Sequence, residues 1–558
     1  MDRRALCLYV VLALVRTLVA FTSTGFIHPD EAFQSPDVAA GAVYVWGGDG
    51  DGPLKTWEWL GDSPCRSIVP VFTSTGFAFA VLKRLVGSSP SGRAFFLAQR
   101  AVMLLLSFRI DNLIWRTSRS SASLLLFASS PVTFTFLLRP FSNSLEAVAL
   151  AALLLILSRL SITPNRWTLF QLGAVLAYGV FTRITFAAFA TPLVCAAVFR
   201  LSQSVRWSSE KGSGLVSLVT LGAPAVLSFL LFCTLFATID TLYFRGLPLR
   251  SLVLTPLNLL RYNLSADNLA EHGLHPRWLH AVVNTPVLFG AGLAVVWSAA
   301  KGRRPDEGKE GTVDGFRRKV YLAALVVPIL LLSIQPHQEP RFLVPLVVPL
   351  VLLAPSASFL HAPSSSKLRR AFWTLWLLHS LLFTILFGHL HQGGLFPALL
   401  KLNDELRSPT SALGRAERVE VVFWKTFMPP RHLLIPPVAE RGASHPSVSV
   451  LDLAGAPPAS LVTVLSAPTT SSQAASPATS LRLLVAPACL VDPLALTCGV
   501  SSSAFADQVR LEPLFNGKTF GVHVDMDRLP ELFAADGWSR TGVGVWRVER
   551  CEGEEKEE

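Results

Sequence analysis

The sequence predicts a polytopic α-helical membrane protein that ends in a small mixed α/β domain. Three observations carry this prediction. The 558 residues are 51% hydrophobic and only 16% charged, whereas a soluble chain carries about a quarter charged residues. Apolar runs near or above the ~18 residues that suggest a bilayer crossing recur from the N-terminus to about Leu390. Beyond that point the apolar runs shorten to strand length. The net charge of +11 is concentrated in short loops between apolar runs. That is the positive-inside pattern, so the charge reports orientation and gives no reason to invoke nucleic acid.

The first element is the run 5–23, about one bilayer thickness of helix. Arg3 and Arg4 before it also suit a signal peptide, but Arg16 inside the run and the lack of a small-x-small site favour a retained span. The basic loops hold Arg116 with Arg119, Arg159 with Arg166, Arg200 to Lys211, Lys301 to Lys319, and Lys367 to Arg370. With all of them in the cytoplasm, crossings fall at 5–23, 94–115, 121–138, 145–160, 167–182, 184–200, 214–240, 281–300, 320–335, 342–360 and 371–390. That makes about 11 transmembrane helices, so the N-terminus is cytoplasmic and everything after about His391 lies on the far side. The run 68–86 is apolar enough to cross, yet parity forbids a single crossing. It reads as interfacial or re-entrant, which leaves Lys83 and Arg84 on the far side against the rule. The domain division is then 1–391, with a first far-side loop at 24–93, and 392–558.

In the C-terminal part, strand-like runs occupy 448–453, 461–465, 481–485, 519–524 and 544–548, with a flexible Ser/Thr/Ala/Pro-rich loop at 467–480. Cys7, Cys195 and Cys233 fall in apolar runs and read as buried thiols, while Cys489 and Cys498 would pair if their side is oxidising. Asn263-Leu264-Ser265 is a glycosylation sequon in a far-side loop.

Polar motifs gather on the far side. Just past the first span stands His28-Pro29-Asp30-Glu31-Ala32-Phe33-Gln34. Carboxylates at a bilayer edge are costly unless they face a polar cavity; the bland reading is a solvated loop. Arg139, Arg183 and Arg341 break the cytoplasmic bias. Each either snorkels to headgroups or helps grip an anionic group such as phosphate. With His337 and Glu339 they suit transfer of a sugar from a lipid phosphate. In that reaction a carboxylate takes the acceptor hydroxyl proton and cations stabilise the leaving phosphate. The same residues suit a transporter or flippase, though the paired, interrupted halves typical of transporters are not evident. His272, His275 and His280 recur in one loop, a weak hint of metal at spacings of three and five; acceptor contact or plain surface is the better reading. The acids form no cation cage, so no divalent metal or other cofactor is expected.

The motifs as a set resemble glycosyltransferase family 22 mannosyltransferases. The resemblance lies in His28-Pro29-Asp30-Glu31 with Phe33-Gln34, in Arg139 with Ser142-Asn143 and Glu146, and in His337-Gln338-Glu339-Pro340-Arg341-Phe342. Trp57-Glu58, Cys65-Arg66-Ser67, Leu254-Thr255-Pro256, Arg261-Tyr262-Asn263-Leu264, Asn268 to Gly273, His391-Gln392-Gly393-Gly394 and Met428 to His432 are similar to the branch that adds a fourth mannose to glycosylphosphatidylinositol (GPI) precursors. Gln338 and Pro340 depart from many siblings in that box. The resemblance implies a GT-C glycosyltransferase fold and a multi-pass protein of the endoplasmic reticulum membrane with a lumenal site. It implies dolichyl-phosphate mannose as donor and a GPI-precursor glycolipid as acceptor, joined through an α1,2 bond with inversion. No protein partner is implied. Third-mannose and N-glycan relatives stay as alternatives. The expected catalytic residues are Asp30 as base, with Glu31 sharing or orienting. The expected substrate-binding residues are His28, Gln34, Arg66, Arg139, Asn143, Arg183, His337, Glu339, Arg341, His391 and Gln392.

Overall fold

The computed structural model describes the chain except residues 48–51, 161–164, 209–213, 248–250, 266, 269–272, 302–314, 362–365, 439–444, 468–479, 492–508, 527–528, 531–540 and 551–558. It divides into two units. The first comprises Met1–Phe21, Lys55–Ser74 and Arg100–Phe383; the second comprises Thr22–Leu54, Thr75–Gln99 and Thr384–Glu558.

The first unit is helical. Helices occur at each expected crossing position, among them Arg3–Thr22, Gly92–Ser118, Ser142–Arg159, Arg166–Thr182 and Gly214–Arg245. Among the described residues, seven helices are long and apolar enough to cross a membrane. The bent pair Ser121–Ala128 and Pro131–Leu138 adds an eighth if it is one span. One of the seven is Ile68–Val86, the run that parity reads as interfacial. Gly92–Ser118 forms as a helix but carries Arg93, Arg100, Arg109, Asp111 and Arg116. Cys7 and Cys195 are exposed rather than buried and Cys233 is half-buried. Sequence patterning marks the apolar run but not which face of the helix turns outward.

Several buried charges in this unit are paired. Arg16, the interruption in the first run, donates from Nη1 and Nη2 to Asp111 at 2.8 and 3.3 Å, and Tyr9 donates its hydroxyl to the same carboxylate at 2.8 Å. The 48° bend between Ala128 and Pro131 follows from the proline, which supplies no N–H to the ladder. Beside the bend, the Ser129 carbonyl accepts from Ser380 Oγ at 2.7 Å, and Trp376 Nε1 donates to Ser129 Oγ at 3.0 Å. Asp240 is fully buried. It accepts from Ser67 Oγ and Ile68 N at 2.9 Å and from Thr255 Oγ1 at 2.8 Å. One carboxylate thereby joins two of the sequence motifs to the end of the helix Gly214–Arg245.

The second unit holds a five-stranded mixed sheet in the order β2-β1-β3-β5-β4. Its strands are β1 (Arg418–Phe423), β2 (Ser447–Asp452), β3 (Ser480–Pro487), β4 (Val509–Pro513) and β5 (Val543–Arg550). β1 runs parallel to β2 and β3, and β5 runs antiparallel to β3 and β4. Three of the expected strands are present. The run 461–465 is instead the helix Pro458–Ser466, opened by proline, with Leu461 and Leu465 buried one turn apart against the sheet. A short β-branched run does not distinguish these two states. The run 519–524 is not a strand but two isolated bridges, Phe520 to Val543 and Val524 to His391. β1 and β4 were not anticipated. Arg482 on β3 sits opposite Glu420 on β1 and pairs with it at 2.5 Å. It also donates to the carbonyls of Val464, Leu465 and Ala467 at 2.7–3.0 Å, which caps the open end of that helix. Cys498 lies outside the described residues; Cys489 is buried.

Candidate active site

The residues singled out from the sequence fall into two groups, one in each unit. The second unit holds His28, Asp30, Glu31, Gln34, His391 and Gln392. Pro29 opens a single helical turn, Asp30–Phe33, that sets the two carboxylates in different surroundings. Asp30 keeps 23% of its side chain exposed. It is held from one side by the Gln34 amide, which donates to Oδ2 from one turn on, and His28 Nδ1 lies 3.5 Å from Oδ1. Glu31 is buried, and its Oε2 faces the Ile27 N–H at 3.4 Å. The adjacent acids thus divide into one that meets solvent and one turned inward.

The segment leading into this turn is fixed by backbone. Gly25 N donates to Gly388 O at 2.7 Å and Phe26 N to His391 O at 2.9 Å. A Cβ on Gly25 would stand 2.5 Å from the Phe387 carbonyl oxygen, so only glycine permits the approach. Gln392 takes a left-handed φ of 52° and is fully buried; its Oε1 accepts from Phe427 N at 3.1 Å. A Cβ on Gly393 would meet the His389 oxygen at 1.8 Å. The His391-Gln392-Gly393-Gly394 motif is therefore a packed turn beside the acids. Downstream, Asp37 is fully buried and accepts from His432 Nδ1 at 2.5 Å, from His432 N at 3.1 Å and from Leu54 N at 3.3 Å.

The first unit holds Arg66, Arg139, Asn143, Arg183, His337, Glu339 and Arg341. The carboxylate of Glu146, on the first turns of the helix Ser142–Arg159, organises one side. It accepts from Asn143 Nδ2 at 2.9 Å and from Thr185 Oγ1 at 2.8 Å, and lies 3.7 Å from Arg183 Nε. Arg183 also donates to Ser142 Oγ at 3.0 Å. Arg66 binds Glu58 Oε1 through Nε and Nη2 at 2.9 and 2.7 Å. On the other side His337 Nε2 lies 2.7 Å from Glu339 Oε1, and Glu339 holds Arg341 through both oxygens, Nη2 at 2.8 Å. The Phe342 ring joins the two sides, with the Arg183 and Arg341 guanidinium carbons 5.2 and 5.5 Å from its centre. Gln338 is buried and accepts from His280 N at 2.8 Å, which fixes the turn. Arg139 is enclosed and donates to Thr135 O at 2.8 Å. His272 lies outside the described residues.

A family model described as the Alg9-like mannosyltransferase family matches residues 7–436. The chain belongs to that family. It is 33% identical over 481 residues to the Homo sapiens protein named GPI alpha-1,2-mannosyltransferase 4, covering 80% of this chain and 78% of the relative. It is 30% identical over 584 residues to GPI mannosyltransferase 4 of Aspergillus oryzae, covering 97% and 98%. A solved structure of ArnT from Cupriavidus metallidurans bound to undecaprenyl phosphate is similar at 11% identity and a TM-score of 0.48 over 98% of each chain, too distant to bear on the site. Membership makes this Alg9-like protein a membrane glycosyltransferase and removes the transporter reading.

In the Alg9-like chain, Glu58, Glu146 and Asp37 are the polar residues that sequence reasoning left off its site list. Glu58 and Glu146 stand inside motifs that carry the resemblance; Glu58 pairs with nearby Arg66, whereas Glu146 meets Thr185 and Asp37 meets His432 across long stretches of chain. Cys65, beside Arg66 in the segment that also holds Glu58, is buried. Its thiol is pushed up to about 11 by burial and by the Glu58 carboxylate, partly offset by Arg66. We expect Cys65 to resist iodoacetamide at pH 8 in the folded protein and to react after denaturation. Mass spectrometry of labelled peptides checks this.

Proposed function

We propose that the protein transfers mannose from dolichyl-phosphate mannose to the third mannose of a GPI precursor on the lumenal face of the endoplasmic reticulum membrane. The new bond is α1,2 and the anomeric centre inverts. The observation that carries the reading is the likeness to relatives named GPI mannosyltransferase 4, at 33% and 30% identity over most of both chains. It favours the fourth-mannose step over the third-mannose and N-glycan alternatives. The GT-C fold and the eleven-crossing topology, with the C-terminal domain in the lumen, belong to the same proposal.

Inversion in one displacement needs a base and no covalent intermediate. Asp30 takes the proton of the acceptor hydroxyl as that oxygen attacks the anomeric carbon. The bond from that carbon to the phosphate oxygen breaks, and dolichyl phosphate leaves with the electron pair. Gln34 and His28 hold Asp30, and Glu31 positions the turn. Arg139, Arg183, Arg341 and His337 stabilise the phosphate, and Glu339 aims Arg341. No metal enters this scheme.

Expression in cells lacking the fourth-mannose step tests the reading. We expect four-mannose GPI intermediates to return, as seen by mass spectrometry of the glycolipids. Persistent three-mannose species despite good expression would refute it.

A further inference from the structure

Two features have no place in the chemistry above: His275, and the departures Gln338 and Pro340 inside the box that holds His337, Glu339 and Arg341. We infer that His275 and Gln338 form a clasp that orients His337 and Glu339 toward the donor phosphate. His275 is thereby a positioning residue, acting through the turn and not on substrate. The inference rests on the transfer reaction proposed above and adds what keeps its phosphate grip in shape.

Backbone argues first. Proline disfavours the helical region for the residue before it, and Glu339, before Pro340, is extended at φ −116° and ψ 146°. Along extended chain, alternate side chains share a face. His337 and Glu339 do so, with Nε2 and Oε1 2.7 Å apart. Gln338 between them is 1% exposed and turns the other way, into the segment 273–280.

Hydrogen bonding argues second. That segment holds Gln338 at three points. The Gln338 N–H donates to His275 Nδ1 at 3.2 Å, Oε1 accepts from His280 N at 2.8 Å, and Nε2 donates to Arg277 O at 3.2 Å. His275 N adds a bond to Pro336 O at 2.8 Å. Gly273 takes a left-handed φ of 86°, and its carbonyl lies 3.4 Å from His337 Nδ1. The His275 and His337 ring centres stand 5.8 Å apart. The segment thus fixes the turn on both sides of Gln338, and His275 supplies the side-chain bond to the Gln338 backbone.

The chemistry of that bond selects the test. An N–H needs an acceptor, so the His275 proton sits on Nε2 and Nδ1 offers its lone pair. Asparagine presents an oxygen near the place of Nδ1, whereas leucine keeps the bulk and presents no acceptor. His275 is half-buried, so either substitution leaves the core closed. A grip set before the ligand arrives avoids an ordering cost on binding. His337, Glu339 and Arg341 are assigned to the donor, so loss of the clasp falls on donor binding and spares the acceptor.

His275→Leu and His275→Asn are compared with wild type as full-length protein in detergent. Dolichyl-phosphate affinity is titrated, and apparent KM values are measured for dolichyl-phosphate mannose and for a trimannosyl GPI acceptor. We expect His275→Leu to weaken dolichyl-phosphate binding and raise the donor KM about three- to tenfold, the effect of one hydrogen bond. The acceptor KM stays unchanged and His275→Asn stays close to wild type. An unchanged donor KM in His275→Leu overturns the inference, even if thermal stability falls, because a merely structural histidine leaves the KM of the folded fraction unmoved. A parallel rise in both KM values overturns it too, as does an asparagine variant as impaired as the leucine one. Dolichyl-phosphate binding that weakens in His275→Leu, with no transfer to the GPI acceptor even by wild type, leaves the clasp standing and overturns the proposed reaction instead.

Discussion

Replacing Asp30 by asparagine is expected to lower mannosyl transfer about a hundred- to ten-thousand-fold, the usual contribution of a positioned base, while the protein stays folded. The two side chains have the same shape, and the asparagine oxygen still accepts from the Gln34 amide that holds Asp30. What is lost is the capacity to take a proton. Glu31→Gln has a different signature. Glu31 is buried against the Ile27 N–H, so its loss loosens the turn. We expect reduced thermal stability and a milder fall in rate per folded molecule. Microsomal transfer assays normalised to protein level, with thermal unfolding of the purified variants, separate the two. Full transfer by Asp30→Asn would remove it as the base.

The second large effect is on stability. Arg16→Met should destabilise the protein by about 3–5 kcal/mol, the cost of leaving one member of a buried pair alone. Arg16 is fully buried and Asp111 nearly so. The guanidinium also lies 5.0 and 5.6 Å from the Phe108 and Phe127 ring centres, so a methionine would fill an apolar space. Among the described residues, Asp111 would keep only the Tyr9 hydroxyl, at 2.8 Å. The double variant Arg16→Met with Asp111→Leu should recover most of the loss, because an apolar pair of similar volume removes both desolvation penalties. Thermal unfolding in detergent checks this; a double variant as unstable as the single one would show that the ion pair is not the cause.

These two cases mark what the sequence discloses. The helices were legible because a membrane span needs only local apolarity, which 5–23 and 371–390 display without reference to anything else. Arg16 was visible as an interruption, but its partner Asp111 lies 95 residues away and no local pattern connects them. Asp30 and Glu31 were readable as a site and not as two roles, since only the fold turns one inward. Arg183 and Arg341 were recognised by their position against the charge bias, whereas the Phe342 ring between them is a tertiary fact. The His391-Gln392 motif shows the converse. Its residues stand out in sequence, yet in the fold they build a turn from a left-handed glutamine and a glycine in close backbone contact. In the C-terminal part, Leu461 and Leu465 fit strand and helix equally well until Pro458 and the sheet decide between them.

The backbone contacts around Gly25 carry a consequence for biosynthesis. Gly25 and Phe26 are seated by Gly388 and His391, and the turn at His391 and Gln392 is closed by Val524, which donates to Leu390 O at 2.9 Å and accepts from Gln392 N at 3.0 Å. The acidic box leaves the ribosome long before Gly388, His391 and Val524, and reaches its final geometry only once they have followed. A nascent or prematurely terminated polypeptide therefore carries Asp30 and Glu31 without the frame that distinguishes them. Synthesis through Val524 is itself the event that switches this half of the chemistry on.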